Sequence, residues 1–179
     1  MIGLKHNQNF LADYDPAWPF LFEKEKVRLQ TALVNLPRGI EHFGSTAIPG
    51  LPAKPIIDIL IGILPLTAWA QCKEPLESLG YDYAEHAGVP GHYIFGRGRD
   101  LSERTHLVHI VAFNGQSWRF NLAFRDTIRA NRNLMEEYLI VKQAALVLAP
   151  TGRAKYNELK QVFFDKVSNE YLANLAKTG

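Results

Sequence analysis

The chain lacks the features that define several large classes of protein. Its 179 residues include one cysteine, Cys72, which excludes a disulfide framework and a multi-cysteine zinc site. The longest apolar stretch, residues 56–66, is interrupted by Asp58, Gly62 and Pro65 and falls short of the roughly 20 residues that a membrane span needs. The sequence patterns GxxxxGK[ST], GxGxxG, HExxH and GxSxG are also absent, which argues against the enzyme classes that they mark.

Charge of either sign is not in excess. The 20 Lys and Arg residues nearly offset the 18 Asp and Glu residues, so that the net charge is +2. This balance disfavours a general nucleic-acid-binding or membrane-coating surface but leaves room for a local basic site. Residues 1–11 contain Lys5 and His6 and no apolar run of the kind found in export signals, so we expect a cytoplasmic protein that does not enter a membrane.

Hydrophobic periodicity predicts an α+β fold. Asp15-Pro16 opens a helix whose apolar positions recur up to Leu36, with one turn skipped at Glu25 and Lys26. Strands and one further helix follow: strands at Ile40–Phe43 and Ile56–Ile63, a helix at Leu66–Leu79, and strands at Tyr81–Ala84, His92–Gly96 and Thr105–Phe113.

The period becomes helical from Trp118 onward. In the last of these stretches the apolar stripe Tyr156, Leu159, Phe163 and Val167 predicts that Lys155 and Lys160 face solvent. We therefore expect an α+β core over residues 1–116 and a helical C-terminal part over residues 117–179, packed on that core.

One segment, EHFGSTAIPGLPAKPIIDILIGI at residues 41–63, contains the residues best suited to chemistry. Gly44 permits close approach of the backbone to a ligand, and Ser45 offers a hydroxyl at the start of a turn whose amides, including that of Thr46, could face an anion such as phosphate. Lys54 would add a positive charge. Asp58 lies within an apolar strand, where an ionised carboxylate is unfavourable unless a cation, a donor or a metal meets it.

Each of these residues also has an ordinary structural interpretation. Ser45 could simply cap the turn, and Asp58 could be a buried carboxylate bonded to the backbone or to an arginine. Lys54 could be a solvated loop residue. Arg125 could pair with Asp126, although its planar guanidinium also suits a phosphate.

The stretch HFGSTAIPGLPAKPIIDI, residues 42–59, resembles the signature of the GrpB-like family, whose members have the nucleotidyltransferase fold. Three other segments resemble the same family: residues 14–18, residues 104–109 and residues 124–126. The resemblance implies a mixed sheet with flanking helices, in which a Gly-Ser pair holds phosphate and two strand carboxylates, one residue apart, hold Mg²⁺. Asp58 would then be the metal ligand and a catalytic residue, and His109, on the same strand face as Leu107, would be a second catalytic residue.

The sequence departs from that pattern at two positions. The second carboxylate is replaced by Leu60, and a position where relatives often carry histidine is Leu107. Leucine cannot ligate Mg²⁺, so a two-metal site would need an acidic group from elsewhere; Asp126 and Glu103 are candidates because they lie near matched segments.

The resemblance leads to two hypotheses of function. The first is a nucleotidyltransferase-like protein that binds a nucleotide or another phosphorylated small molecule. This hypothesis leaves open whether Mg²⁺ takes part and whether a nucleotidyl group is transferred. The second is a catalytically degenerate ligand-sensing or partner-binding module, with a link to coenzyme A metabolism through relatives fused to dephospho-coenzyme A kinase.

Overall fold

The computed structural model describes residues 2–5, 8–85, 89–99 and 102–178. Seven strands form in these residues: β1 (Leu4–Lys5), β2 (Pro37–Phe43), β3 (Ile57–Ile63), β4 (Asp82–Tyr83), β5 (Tyr93–Arg97), β6 (Glu103–Arg104) and β7 (His106–Ala112). Five of them build a mixed sheet in the order β2-β3-β7-β5-β4, in which β3 and β7 are parallel and the other neighbours antiparallel. The short strands β1 and β6, which the sequence did not indicate, pair separately.

Two helices cover one face of the sheet. Helix α1 (Ala17–Leu33) begins where Asp15 accepts the Ala17 amide at 2.9 Å, as the Asp-Pro opening predicts. The single helix predicted at Leu66–Leu79 is wrong in its first part, because the chain forms a 3₁₀ helix at Leu66–Cys72 before helix α2 (Lys73–Ser78). Pro75 has no amide hydrogen, so the regular α-helical bonds cannot run through that position.

Side chains alternate across the buried strand β3. Ile57, Ile59, Ile61 and Ile63 pack against the apolar face of α1 in the main core. Asp58 and Leu60 point to the opposite face, which is the face that positions the site.

Three helices cover that second face: α3 (Gln116–Ala130), α4 (Arg132–Leu148) and α5 (Arg153–Thr178). Stacked rings hold them together, with Phe124 against Phe164 at 4.4 Å and Tyr138 against Phe163 at 4.9 Å between centroids. None of the helices in the described part of the chain is long and apolar enough to cross a membrane.

Candidate functional site

The sheet and the C-terminal helices form a small cavity of about 160 Å³ between them, which we call the inner cavity. Its polar lining comes from six elements: Ser45 in the turn after β2, Asp58 on β3, His109 on β7, Asn121 on α3, Tyr138 on α4 and Lys160 on α5. The aromatic rings of Phe43, Phe124 and Phe164 complete the wall. The turn serine and the strand carboxylate, which are 13 positions apart in the sequence, thus face one shared space.

Gly44 allows the turn to pass directly beside the carboxylate. Its backbone adopts φ +69°, a conformation that disfavours other residues, and a Cβ at this position would lie 2.5 Å from Asp58 Oδ2. The chain then forms the 3₁₀ turn Ser45–Ala47, which brings Ser45 Oγ to 3.5 Å from the Tyr138 hydroxyl oxygen. Any side chain at position 44 would therefore displace the carboxylate from the cavity.

Lys160 supplies the positive charge of the inner cavity. Sequence periodicity predicts that this residue faces solvent, but the structure places it half-buried in the cavity wall. The ammonium lies 4.7 Å from the ring centroid of Tyr156 and 5.7 Å from that of Phe164, because the long side chain crosses the aromatic wall. Burial lowers the pKa of Lys160 to about 8, and the nearby charge of Asp58 opposes that decrease.

A second lysine lies deeper behind the cavity. Lys142 is 1% exposed and donates to the carbonyl oxygen of Pro52. Burial lowers the pKa of Lys142 well below its ordinary value, with the charges of Lys160 and Lys54 acting in the same direction and that of Asp58 against them. Burial therefore favours the neutral amine of Lys142, and Lys160 is the lysine that lines the inner cavity.

His109 connects the inner cavity to a larger outer groove of about 440 Å³. The groove adds polar side chains from the chain before β5 and from helices α3 and α5: His92, Gln116, Ser117, Asn157 and Gln161. His109 Nδ1 lies 3.1 Å from His92 Nδ1, and burial lowers the pKa of His109 to about 3, with a smaller contribution from His92. The ring is therefore neutral at pH 7 and is a weak general base.

Two residues predicted to contact phosphate lie outside the inner cavity and are engaged in structural bonds. Thr46 is 1% exposed; its hydroxyl contacts His42 Nε2 at 3.0 Å and donates to the Ile56 carbonyl at 3.2 Å. Lys54 donates to Asn9 Oδ1 at 2.5 Å and lies 3.6 Å from the ring centroid of Tyr156. Through these contacts, both residues attach the loop between β2 and β3 to neighbouring parts of the chain.

Arg125 also lies outside the inner cavity. Its guanidinium donates to the carbonyl oxygen of His42 at 2.8 Å and to Glu41 at 3.1 Å, and it forms a two-bond pair with Asp126 at 2.7 and 3.0 Å. One turn further along the helix, Arg129 donates twice to the Ala47 carbonyl, at 2.8 and 2.6 Å. The two arginines hold α3 against both ends of the Gly-Ser turn.

A two-metal arrangement does not fit these side chains. Leu60 is fully buried in an apolar cluster with Phe43, Val111 and Trp118, and Leu107 is the partner of Asp58 in the neighbouring strand. The two acidic residues suggested as substitutes do not line the cavity. Asp126 pairs with arginines at the surface, and Glu103, which is on β6, lies 3.7 Å from Arg99. Among the described residues no group of three or more His, Cys, Asp or Glu side chains is placed to hold a metal. Asp58 could hold one cation at most, completed by water and ligand oxygens.

The mixed sheet with helices on both faces is a nucleotidyltransferase-like fold. The chain superposes on a crystal structure of the Cid1 poly(U) polymerase with Mg 3′-dATP bound, with a TM-score of 0.50 and 14% identity over 74% of this chain and 42% of that one. At this identity the likeness shows the fold alone.

Within that fold class, the chain belongs to the GrpB protein family, whose model matches residues 9–170. It is 34% identical over 173 residues to the glutamate-rich protein GrpB of Alkalihalophilus pseudofirmus, covering 95% of this chain and 99% of that one. It also superposes on the crystal structure of the conserved protein GrpB from Enterococcus faecalis, with a TM-score of 0.78 and 30% identity over 91% of this chain and 99% of that one. The family resemblance in the sequence is thus confirmed.

A more distant relative has a name that refers to coenzyme A. The chain is 30% identical over 178 residues to a dephospho-CoA kinase of Mycobacterium leprae and spans 43% of that protein's length.

Proposed function

We propose that this protein binds a nucleotide or another phosphorylated small molecule, with the phosphate in the inner cavity. The observation that carries the proposal is the shared cavity itself, in which the Ser45 hydroxyl, the Asp58 carboxylate and the Lys160 ammonium face the same space. A hydroxyl and an ammonium are donors that suit phosphate oxygens. The close approach of the Gly44 backbone to the Asp58 carboxylate keeps the inner cavity narrow.

The outer groove would take the organic part of the ligand. It shares His109, Asn121 and Lys160 with the inner cavity, so a molecule can occupy both without a break. Its volume of about 440 Å³ falls in the range of small-ligand sites, and its mixture of aromatic and amide side chains suits a base or a sugar.

A direct experiment is thermal unfolding with each of the four nucleoside triphosphates and with inorganic tripolyphosphate, in excess MgCl₂. Binding to the folded state raises the midpoint, and Ser45→Ala and Asp58→Ala should each abolish that rise. Ser78→Ala is the matched control, because Ser78 is exposed and donates only to the nearby Pro75 carbonyl at 2.7 Å. The absence of a shift with all five probes would refute the proposal.

A second candidate is binding without group transfer, as in a ligand sensor. The specific observation is Leu60, which fills the position of the missing carboxylate with a side chain buried against Phe43 and Trp118. Incubation with labelled triphosphate, MgCl₂ and a broad pool of acceptors should then yield no nucleotidylated product. Transfer of label to any acceptor would favour the nucleotidyltransferase hypothesis instead.

A link to coenzyme A metabolism is the least direct of these proposals. It is supported by the name of the M. leprae relative, of which this chain spans 43%. Dephospho-coenzyme A and coenzyme A, which both carry a diphosphate, therefore belong in the same thermal panel. Stabilisation by either one beyond that by tripolyphosphate would support this link.

A further inference from the structure

Asp58 shares the inner cavity with the ammonium of Lys160, and among the described residues the cavity lining includes no second carboxylate. Two positions along β3, where side chains return to the same face, Leu60 is completely buried among apolar groups. Across the sheet, the neighbour of Asp58 on β7 is Leu107. The immediate strand neighbours of Asp58 on this face, Phe43, Leu60 and Leu107, are therefore uncharged.

Lys160 reaches the same cavity from the opposite side. It lies on α5, whose aromatic residues Tyr156 and Phe164 support the side chain one turn before and one turn after it. Burial lowers the pKa of Lys160, and the charge of Asp58 has a smaller effect in the opposite direction. The structure thus supplies one fixed cation for one carboxylate.

A divalent ion at Asp58 would meet further positive charge. Lys54, Lys142 and Lys160 are close enough that the charges of Lys54 and Lys160 lower the pKa of Lys142. An incoming Mg²⁺ would be repelled by the Lys160 ammonium, which attracts a phosphate. The electrostatics favour an anion beside Lys160 and disfavour a metal beside Asp58.

We propose that the Lys160 ammonium occupies the position beside the strand carboxylate that a divalent cation takes in a two-carboxylate site, so that phosphate binding in the inner cavity does not require a divalent metal. The ammonium bridges Asp58 and the phosphate oxygens of the ligand, and Ser45 donates from the other side. This inference rests on the proposed binding of a phosphorylated ligand and assigns a ligand-binding role to a residue outside the Gly-Ser-to-Asp segment.

Calorimetric titration with inorganic tripolyphosphate, in excess EDTA and again in excess MgCl₂, tests the inference on the unmodified protein. The affinity in EDTA should stay within about threefold of that in MgCl₂. In EDTA, Lys160→Gln should weaken binding by about tenfold or more, the effect expected for loss of a charged hydrogen-bond donor. Lys155→Gln is the matched control, because Lys155 lies on the same helix, is exposed and pairs only with Glu158 at 2.8 Å among the contacts described.

The outcomes separate the two proposals. Binding that disappears in EDTA and returns with MgCl₂ would overturn the role of Lys160 while the proposed function stands. Metal-independent binding that Lys160→Gln leaves unchanged would also overturn it, provided that the variant unfolds cooperatively. Absence of tripolyphosphate binding under both conditions would also overturn the role of Lys160, and it would refute the proposed function if the four nucleoside triphosphates also give no thermal shift.

Discussion

Replacing Lys160 by methionine should change how the stability of the protein depends on pH. In the folded protein the pKa of Lys160 is about 8, against an ordinary value of 10.5, because the side chain is half-buried in the wall of the inner cavity. Between these two values the unfolded chain holds the proton more tightly than the folded chain, so stability rises with pH through this window. Below pH 8 the full cost of the buried charge is present.

The size of the effect follows from the two pKa values. A difference of about 2.5 pH units corresponds to about 3 kcal/mol, and most of it lies between pH 7 and pH 10. Methionine has a similar length and no charge, so the Lys160→Met variant lacks this contribution. The wild-type protein should therefore gain about 2–3 kcal/mol relative to the variant when the pH is raised from about 7 to about 10.

Urea unfolding of both proteins at the two pH values measures this double difference, in which the titrating groups that Lys160 does not influence cancel. Lys155→Met is the control on the same helix: the residue is exposed and pairs with Glu158, and its substitution should give a double difference within about 0.5 kcal/mol of zero. If the Lys160→Met and wild-type stabilities change in parallel with pH, the ammonium is not buried as described. The argument that it acts as a fixed cation would then fail.

Two further predictions concern the bonds that hold the site together. Glu25→Gln should destabilise the protein by about 3 kcal/mol in urea unfolding. The carboxylate is 3% exposed and pairs with Arg97 at 2.7 Å, so the substitution would leave the largely buried charge of Arg97 without its partner. A loss of stability below about 1 kcal/mol would contradict this prediction. Arg129→Ala should cost about 1–2 kcal/mol and also weaken tripolyphosphate binding, because the Ala47 carbonyl loses two donors and the turn is released. Arg132→Ala, an exposed control on the next helix, should change neither property, and equal effects of the two arginine variants would refute the role of Arg129.

Local patterns were sufficient to predict most of the sheet and its flanking helices. The run at residues 56–63 forms the central strand β3 because an almost wholly apolar segment is stable only when both faces are covered. The same run identified Asp58, since a carboxylate among isoleucines needs a partner. The lysine that shares its cavity, Lys160, could not be predicted, because it lies on a helix about 100 positions away.

Charged residues on apolar helix faces were the main source of error. The apolar positions of α1 skip a turn at Glu25, which predicts an exposed side chain. In the structure Glu25 is buried and accepts hydrogen bonds from Arg28, Arg97 and Tyr81. Lys160 was assigned to solvent for the same reason. Periodicity identifies which helix face is buried, but whether that face meets an apolar core or a polar partner depends on contacts distant in the sequence.

The leucine at position 60 and the lysine at position 160 are best understood together. A carboxylate at position 60 would lie in a fully buried apolar cluster against Trp118, where an unpaired charge is strongly unfavourable. With leucine there, one negative charge remains on this face of β3, and one ammonium is enough to balance it. A cavity balanced in this way offers the Lys160 ammonium to a phosphate, whereas its single strand carboxylate supplies too few ligands for a pair of divalent ions.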